Sequence, residues 1–488
     1  MIPHRANPTD GWRAPAVIGL LLVGAGLMSI DNLKIIDVGI CLSGLIALVV
    51  WGNSKMSHGH TSLSGPSGPS GGMRHGTGLR SLISGGVKPL ELILYLSPVL
   101  LLSVAYPLAS GRIAHDSVGG VHLTTMLLGA SVTVPWLTQA VCLPLYRALA
   151  LQIEEGDSTK LRARLCEVWP SAYGRSVPTI LLFAIPVEAT ARWSLTAIGV
   201  YLALCLLYVA FAQSLIFSIV SRNRWLWASA WAALALTLLI APALWFLPPL
   251  AALVTQLIPL RRYLHRMTKP VSLGRSDVIA DLARGLLLGS VLWGDKFLLF
   301  VKSGSHFAVV AVFLGLLPAV LAYNYYFVRL APRFDTRVRE LRTAMENESS
   351  AQLAERSVSV WQYVAYSMKR TGLAAAILVV LVTAISGVVS PKSMAVVSTV
   401  GIASWLFMMT TLACYKLDYI GRRSIAQAYS AIHLAGCILV FSLVSFGPGL
   451  YEWLIAMEVG VFAAASYSVR MQWRLSEYNL FWRHATAW

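Results

Sequence analysis

Asp295 and Lys296 stand side by side near the far end of RGLLLGSVLWGDKFLLFVK, the apolar run from Arg284 to Lys302. The run is long enough to cross a bilayer, and an ionisable group at that depth costs several kcal/mol unless it is paired, hydrated or able to reach the interface. Groups held there serve as ion or proton relays or line a polar path. Neighbours on a helix point about 100° apart, so Asp295 and Lys296 are expected not to face each other. Either one lines the interior while the other reaches the interface, or each pairs with a different helix. The plainer readings are a structural ion pair or a position nearer the outer surface. Trp293 belongs to the same candidate path.

A second set lies at the ends of two other apolar runs: Tyr146 and Arg147, with Tyr323, Asn324, Tyr325, Tyr326 and Arg329. Aromatic and hydroxyl groups beside a guanidinium suit a sugar or a pyrophosphate headgroup, through ring stacking and bidentate hydrogen bonds. An interfacial belt of Tyr and Arg anchors has the same composition. Gln213 and Glu458 are further polar positions inside apolar runs, and Glu188 with Arg192 could pair along one helix turn. No catalytic constellation is visible: there is no phosphate-binding loop, no His-Glu-x-x-His and no nucleophile elbow. Neither a cofactor nor a metal is expected, since His58, His60 and His75 sit in a Gly/Ser-rich stretch without fixed geometry and the six cysteines are widely spaced.

The elements that hold these residues follow from composition. The chain has 488 residues, 57% of them hydrophobic and only 12% charged, with a mean hydropathy of +0.66. That excludes an ordinary soluble protein and predicts an all-α polytopic membrane protein, because the apolar runs have helix length and lack the alternation of barrel strands. The formal net charge of +17 does not argue for nucleic acid, as the basic residues lie in short loops beside apolar runs.

Two apolar runs, 14–30 and 36–51, predict an N-terminal transmembrane hairpin over residues 1–51, with no cleavable leader because Asp31-Asn32-Leu33-Lys34 follows the first run. Residues 52–87 read as a flexible Gly/Ser-rich linker. Twelve spans are then predicted at about 90–109, 121–146, 175–190, 193–220, 225–244, 247–260, 284–302, 307–329, 371–389, 394–415, 424–446 and 450–469. With the hairpin this makes about fourteen. If both termini are cytoplasmic, only Lys34, Arg112, Arg192, Lys302 and Lys392 fall outside, Lys296 lies in a span, and the rest of the 39 Lys and Arg face inward. The two longest inner connections, 143–175 and 323–361, occupy equivalent places in two six-helix halves, 88–270 and 271–488, the second carrying a cytoplasmic helical segment over 329–370. Duplicated halves with a substrate path between them are common in transporters.

This arrangement resembles the multidrug/oligosaccharidyl-lipid/polysaccharide exporter superfamily, and within it the PelG-like exopolysaccharide exporters. The resemblance rests on Leu286 to Phe300, ending in Trp-Gly-Asp-Lys-Phe, on Pro144 to Pro170, and on Asn324 to Glu340, where a Tyr/Phe/Arg run enters a charged helix. It differs in its opening, where the hairpin and linker replace a short amphipathic start. The resemblance implies two six-helix bundles facing across a cavity in the bacterial inner membrane. It also implies alternating-access export of a glycan, as polymer or lipid-linked unit, with membrane lipid, a cytosolic glycosyltransferase and inner-membrane biosynthesis proteins as partners. The alternatives are a membrane glycosyltransferase, which short outer loops disfavour, and a non-transporting scaffold for a cytosolic synthase.

Overall fold

A computed structural model of the protein describes residues 89–303, 308–445 and 448–485. The expected hairpin and linker lie outside the described residues. The first half of the body comprises α1 (Pro89–Ser110), a two-stranded ribbon β1–β2 (Ser117–Val118, Val121–His122), α2 (Leu123–Val141), α3 (Leu143–Ala148), α4 (Ala150–Glu155), α5 (Ser158–Leu182), α6 (Ala184–Ala191), α7 (Leu195–Val220), α8 (Arg224–Ile240) and α9 (Leu247–Leu257). The second comprises α10 (Arg275–Ser303), α11 (Val309–Tyr325), α12 (Ala331–Asn347), α13 (Ser350–Val389), α14 (Pro391–Tyr419), α15 (Arg423–Leu443), α16 (Pro448–Arg474) and α17 (Ser476–Ala485).

Eight helices among the described residues are long and apolar enough to cross a membrane, and α8 and the stretch Leu247–Leu260 are shorter apolar helices. The other two expected spans stand apart because of their polar residues. One is α10, which carries Asp295 and Lys296 inside its apolar run. The other was expected over 175–190, but its helix starts at Ser158 and runs through the polar stretch before breaking at Phe183. The reason is local: Gly156 closes α4 at φ 71°, and the Asp157 carboxylate accepts from the Thr159 and Lys160 amides, nucleating α5 seventeen residues early. The segment 329–370 likewise divides into α12 and the start of α13, with Ser349 and Gln352 forming a capping box between them.

Each half packs mainly on itself. In the first, α7 lies against α2, α5 and α9, and α8 against α1 and α9; in the second, α14 is enclosed by α11, α13, α15 and α16. The halves meet chiefly where α2 runs along α10, with a lesser contact between α1 and α11. At the α2–α10 seam a Cβ on Gly285 would overlap the Ala140 backbone, so only glycine lets the two main chains touch there. Farther along, the Trp136 indole donates to the Leu286 carbonyl at 2.7 Å, and at the other end Phe300 fills the space above Gly129.

Two basic residues expected on the outer side cap helix ends. The Arg112 guanidinium donates to the Leu239 carbonyl at 2.8 Å, at the end of α8, and Lys302 donates to the Phe441 and Val444 carbonyls at the end of α15. A cation at a helix C-terminus meets unsatisfied carbonyls and the negative end of the dipole. Arg192, by contrast, ends α6 in the left-handed region (φ 47°) and makes no ion pair with Glu188.

Candidate functional site

The buried polar centre of the second half forms around α10. Asp295 and Lys296 are 0% and 1% exposed, and they do face each other: Lys296 Nζ lies 3.0 Å from Asp295 Oδ2. The helical angle sets where the two Cβ atoms point, but the four-carbon lysine stem curls back across the gap. The Tyr451 hydroxyl of α16 donates to the same carboxylate oxygen at 3.2 Å. Lys296 also donates to Ser404 Oγ of α14 at 2.9 Å and lies 5.1 Å from the Phe407 ring centre.

Phe407 connects this pair to a second one. Its ring meets the His433 imidazole edge-on at 4.9 Å. His433 Nδ1 is 2.6 Å from Glu458 Oε2, and its Nε2 is 3.3 Å from Cys437 Sγ. His433 and Glu458 are both fully buried. Asp295 Oδ1 and Glu458 Oε1 are buried oxygens with no hydrogen-bond partner among the described residues. An unsatisfied buried acceptor costs about 1–3 kcal/mol, so each marks a point where a proton or cation would be stabilised.

The first half has a polar centre of another kind. Gln213, fully buried in α7, accepts from the Trp169 indole at 3.0 Å and donates to the Val141 carbonyl at 3.0 Å and Ser176 Oγ at 3.4 Å. Thr133 and Tyr201 share a hydrogen bond of 2.7 Å.

At the end of the seam where α10 begins, Arg147 of the first half reaches Asp277 (3.3 Å) and Asp281 (2.7 Å) of α10. Asp281 is nearly fully buried and also meets Arg284 at 3.4 Å, while Arg284 reaches Asp418 at 3.7 Å. Arg147 is therefore engaged by carboxylates. Tyr146 is half-buried beside it, and Tyr323 packs edge-on against Phe327 at 4.7 Å. Asn324 and Trp293 are half-buried, and Arg329 lies in a π-helical turn, Tyr326–Leu330, between α11 and α12.

Of the residues singled out in the sequence, Asp295, Lys296 and Glu458 join one network, Gln213 forms the other, and Arg147 ties the halves together. The sequence reading did not name His433, Cys437, Tyr451 or Ser404. His433 was detectable as an ionisable group inside an apolar run, and Tyr451 and Glu458 stand two turns apart on one face of α16.

No protein-family model and no curated protein matches the sequence. Among solved structures the chain is similar to a MATE protein crystallised in complex with MaD5, with a TM-score of 0.48 and 11% identity over 79% of this chain and 95% of that one. It is similar to an outward-facing multidrug resistance MATE family transporter of the MOP superfamily, with a TM-score of 0.40 and 10% identity over 79% and 95%. A MOP superfamily transporter from Pyrococcus furiosus Vc1, described as having a binding pocket of reverse polarity, gives a TM-score of 0.39 and 9% identity over 80% and 96%.

Proposed function

We propose that the protein is a membrane exporter or flippase whose two halves part alternately along the α2–α10 seam. Its cargo in this reading is a glycan of Pel type, moved outward across the bacterial inner membrane as polymer or lipid-linked unit, with both termini in the cytoplasm. The observation that carries the reading is the Asp295–Lys296 pair, fully buried on the helix that forms the seam. A buried ion pair is costly to assemble and is often replaceable by apolar residues without loss of stability, so its presence on a moving surface favours a working role. The Arg147–Asp281 contact closes the inner end of the same seam and breaks when that end opens. In this reading a cytosolic glycosyltransferase docks on the helices of 329–370, coupling synthesis to export.

The test is glycan secretion by cells whose own copy is replaced with Asp295→Asn or Lys296→Met. At equal protein level in the membrane, secretion falls at least about tenfold, the loss expected when a charge-assisted contact worth about 1.5–3 kcal/mol is removed from the working state. Unchanged secretion in both variants removes the proposed role.

A further inference from the structure

The two halves are joined by one stretch of chain, the residues between α9 and α10. It consists of two short 3-10 turns, Ile258–Leu260 and Leu264–Thr268, and an irregular run that ends where α10 starts at Arg275. This stretch is fastened to α5 of the first half. The Val271 amide donates to the Glu167 carbonyl at 2.9 Å, and the Arg266 guanidinium meets the Glu167 carboxylate at 2.6 Å. Ser171 Oγ lies 3.5 Å from the Leu273 amide nitrogen, and Arg175 donates to Ser272 Oγ at 3.0 Å and to the Leu273 carbonyl. Glu167, Ser171 and Arg175 stand four residues apart, so one face of α5 holds the stretch over two turns. Leu260 is buried in the apolar cluster around Leu165, Trp169 and Phe217, and Leu264, Met267 and Leu273 pack against it.

The attachment ends at Leu273. Gly274 is exposed, and its amide donates no hydrogen bond among the described residues, while its carbonyl accepts from Val278 at the start of α10. From Arg275, α10 is continuous over 29 residues without a proline, and Val278 and Leu282 belong to the main core instead of the cluster under the strap. Once α2 and α10 separate, Gly274 is where the fastened strap stops and the helix begins. Hinges are a few loop or element-terminal residues that absorb a change in φ and ψ, and glycine has the widest choice of both. Its missing side chain also leaves room for Asp277, whose Oδ2 would lie 3.2 Å from a Cβ at this position.

We infer that residues 258–273 are a strap fixed to α5 and that Gly274 is the pivot on which α10 turns when the halves part. This rests on the alternating movement proposed above, and the experiment tells the failure of one from the failure of the other.

In a cysteine-free full chain, spin labels are placed at Glu154→Cys on α4 and Ser424→Cys on α15, both exposed, and the distance between them is measured by double electron–electron resonance in detergent. Removing the seam contact with Arg147→Gln shifts the distribution toward longer distances. Adding Gly274→Pro fixes φ at the pivot and lowers the long-distance population at least about threefold. Adding Arg175→Ala as well frees the end of the strap and restores most of that population, which a merely misfolded proline variant would not regain. Gly274→Ala, a milder restriction at an exposed position, gives an intermediate population and carries the test where the proline variant does not fold. A long-distance population unchanged in both Gly274 variants, or not restored by Arg175→Ala, overturns the pivot and leaves the movement standing. No shift in Arg147→Gln contradicts the movement itself, and the pivot falls with it.

Discussion

In the first half, the buried polar centre is a set of neutral groups in which Gln213 bonds to Trp169, Ser176 and the Val141 carbonyl. In the second, the buried polar centre holds Asp295, Lys296, His433 and Glu458, joined through Phe407. Both networks specify which helices pack and in what register, since a buried polar group without its partner is costly. Only the second can also change charge. The seam helix α10 belongs to the half that carries the ionisable network.

The largest expected effect comes from breaking the charged network on one side. Lys296→Met leaves Asp295 charged and buried without its cation, and lowers unfolding stability by about 3–5 kcal/mol, read from denaturant midpoints in detergent. Asp295→Leu/Lys296→Met regains most of that loss, because neither charge then needs a partner. A double variant as unstable as Lys296→Met would show that the two groups do not act as a pair.

Glu458→Gln comes next. It replaces the carboxylate at 2.6 Å from His433 with an amide and costs about 2–3 kcal/mol by the same measurement. Its counterpart in the neutral network, Gln213→Leu, strands the Trp169 N–H and the Val141 carbonyl and costs about 1–2 kcal/mol. A loss at Gln213 as large as that at Glu458 would erase the contrast between the halves.

The smallest effect lies at the surface of the first half. The Lys160 and Thr159 amides hold the Asp157 carboxyl below the usual carboxylate range. A depressed carboxylate pKa contributes stability that is present above the unfolded-state value and is lost as pH falls through the folded-state one. Asp157→Ala is therefore slightly less stable than wild type near neutrality, and the two converge in acid; a difference that persists in acid would assign the effect to something other than the cap.

The helices themselves were largely readable in the sequence, because apolar runs of spanning length admit few other structures. The membrane-depth ionisable groups were readable for the same reason, which brought Asp295, Lys296 and Glu458 forward. Their partners were not. His433 and Glu458 meet from different helices, 25 residues apart, through a packing register that no single run encodes. The direct Asp295–Lys296 contact was missed because periodicity fixes the direction of Cβ and not the reach of a lysine. Arg147, read as a headgroup ligand, is engaged by two aspartates from the start of α10.

The most direct test of alternating movement between the halves uses the end of their seam where α10 begins. Arg147 and Asp277 approach to 3.3 Å across it and both are exposed. In a cysteine-free background, Arg147→Cys/Asp277→Cys is bridged with a cleavable bifunctional thiol reagent, and glycan export into membrane vesicles is followed before bridging, after it, and after cleavage. The account predicts that export stops on bridging and returns on cleavage; export at the full rate while the two halves are bridged would contradict it.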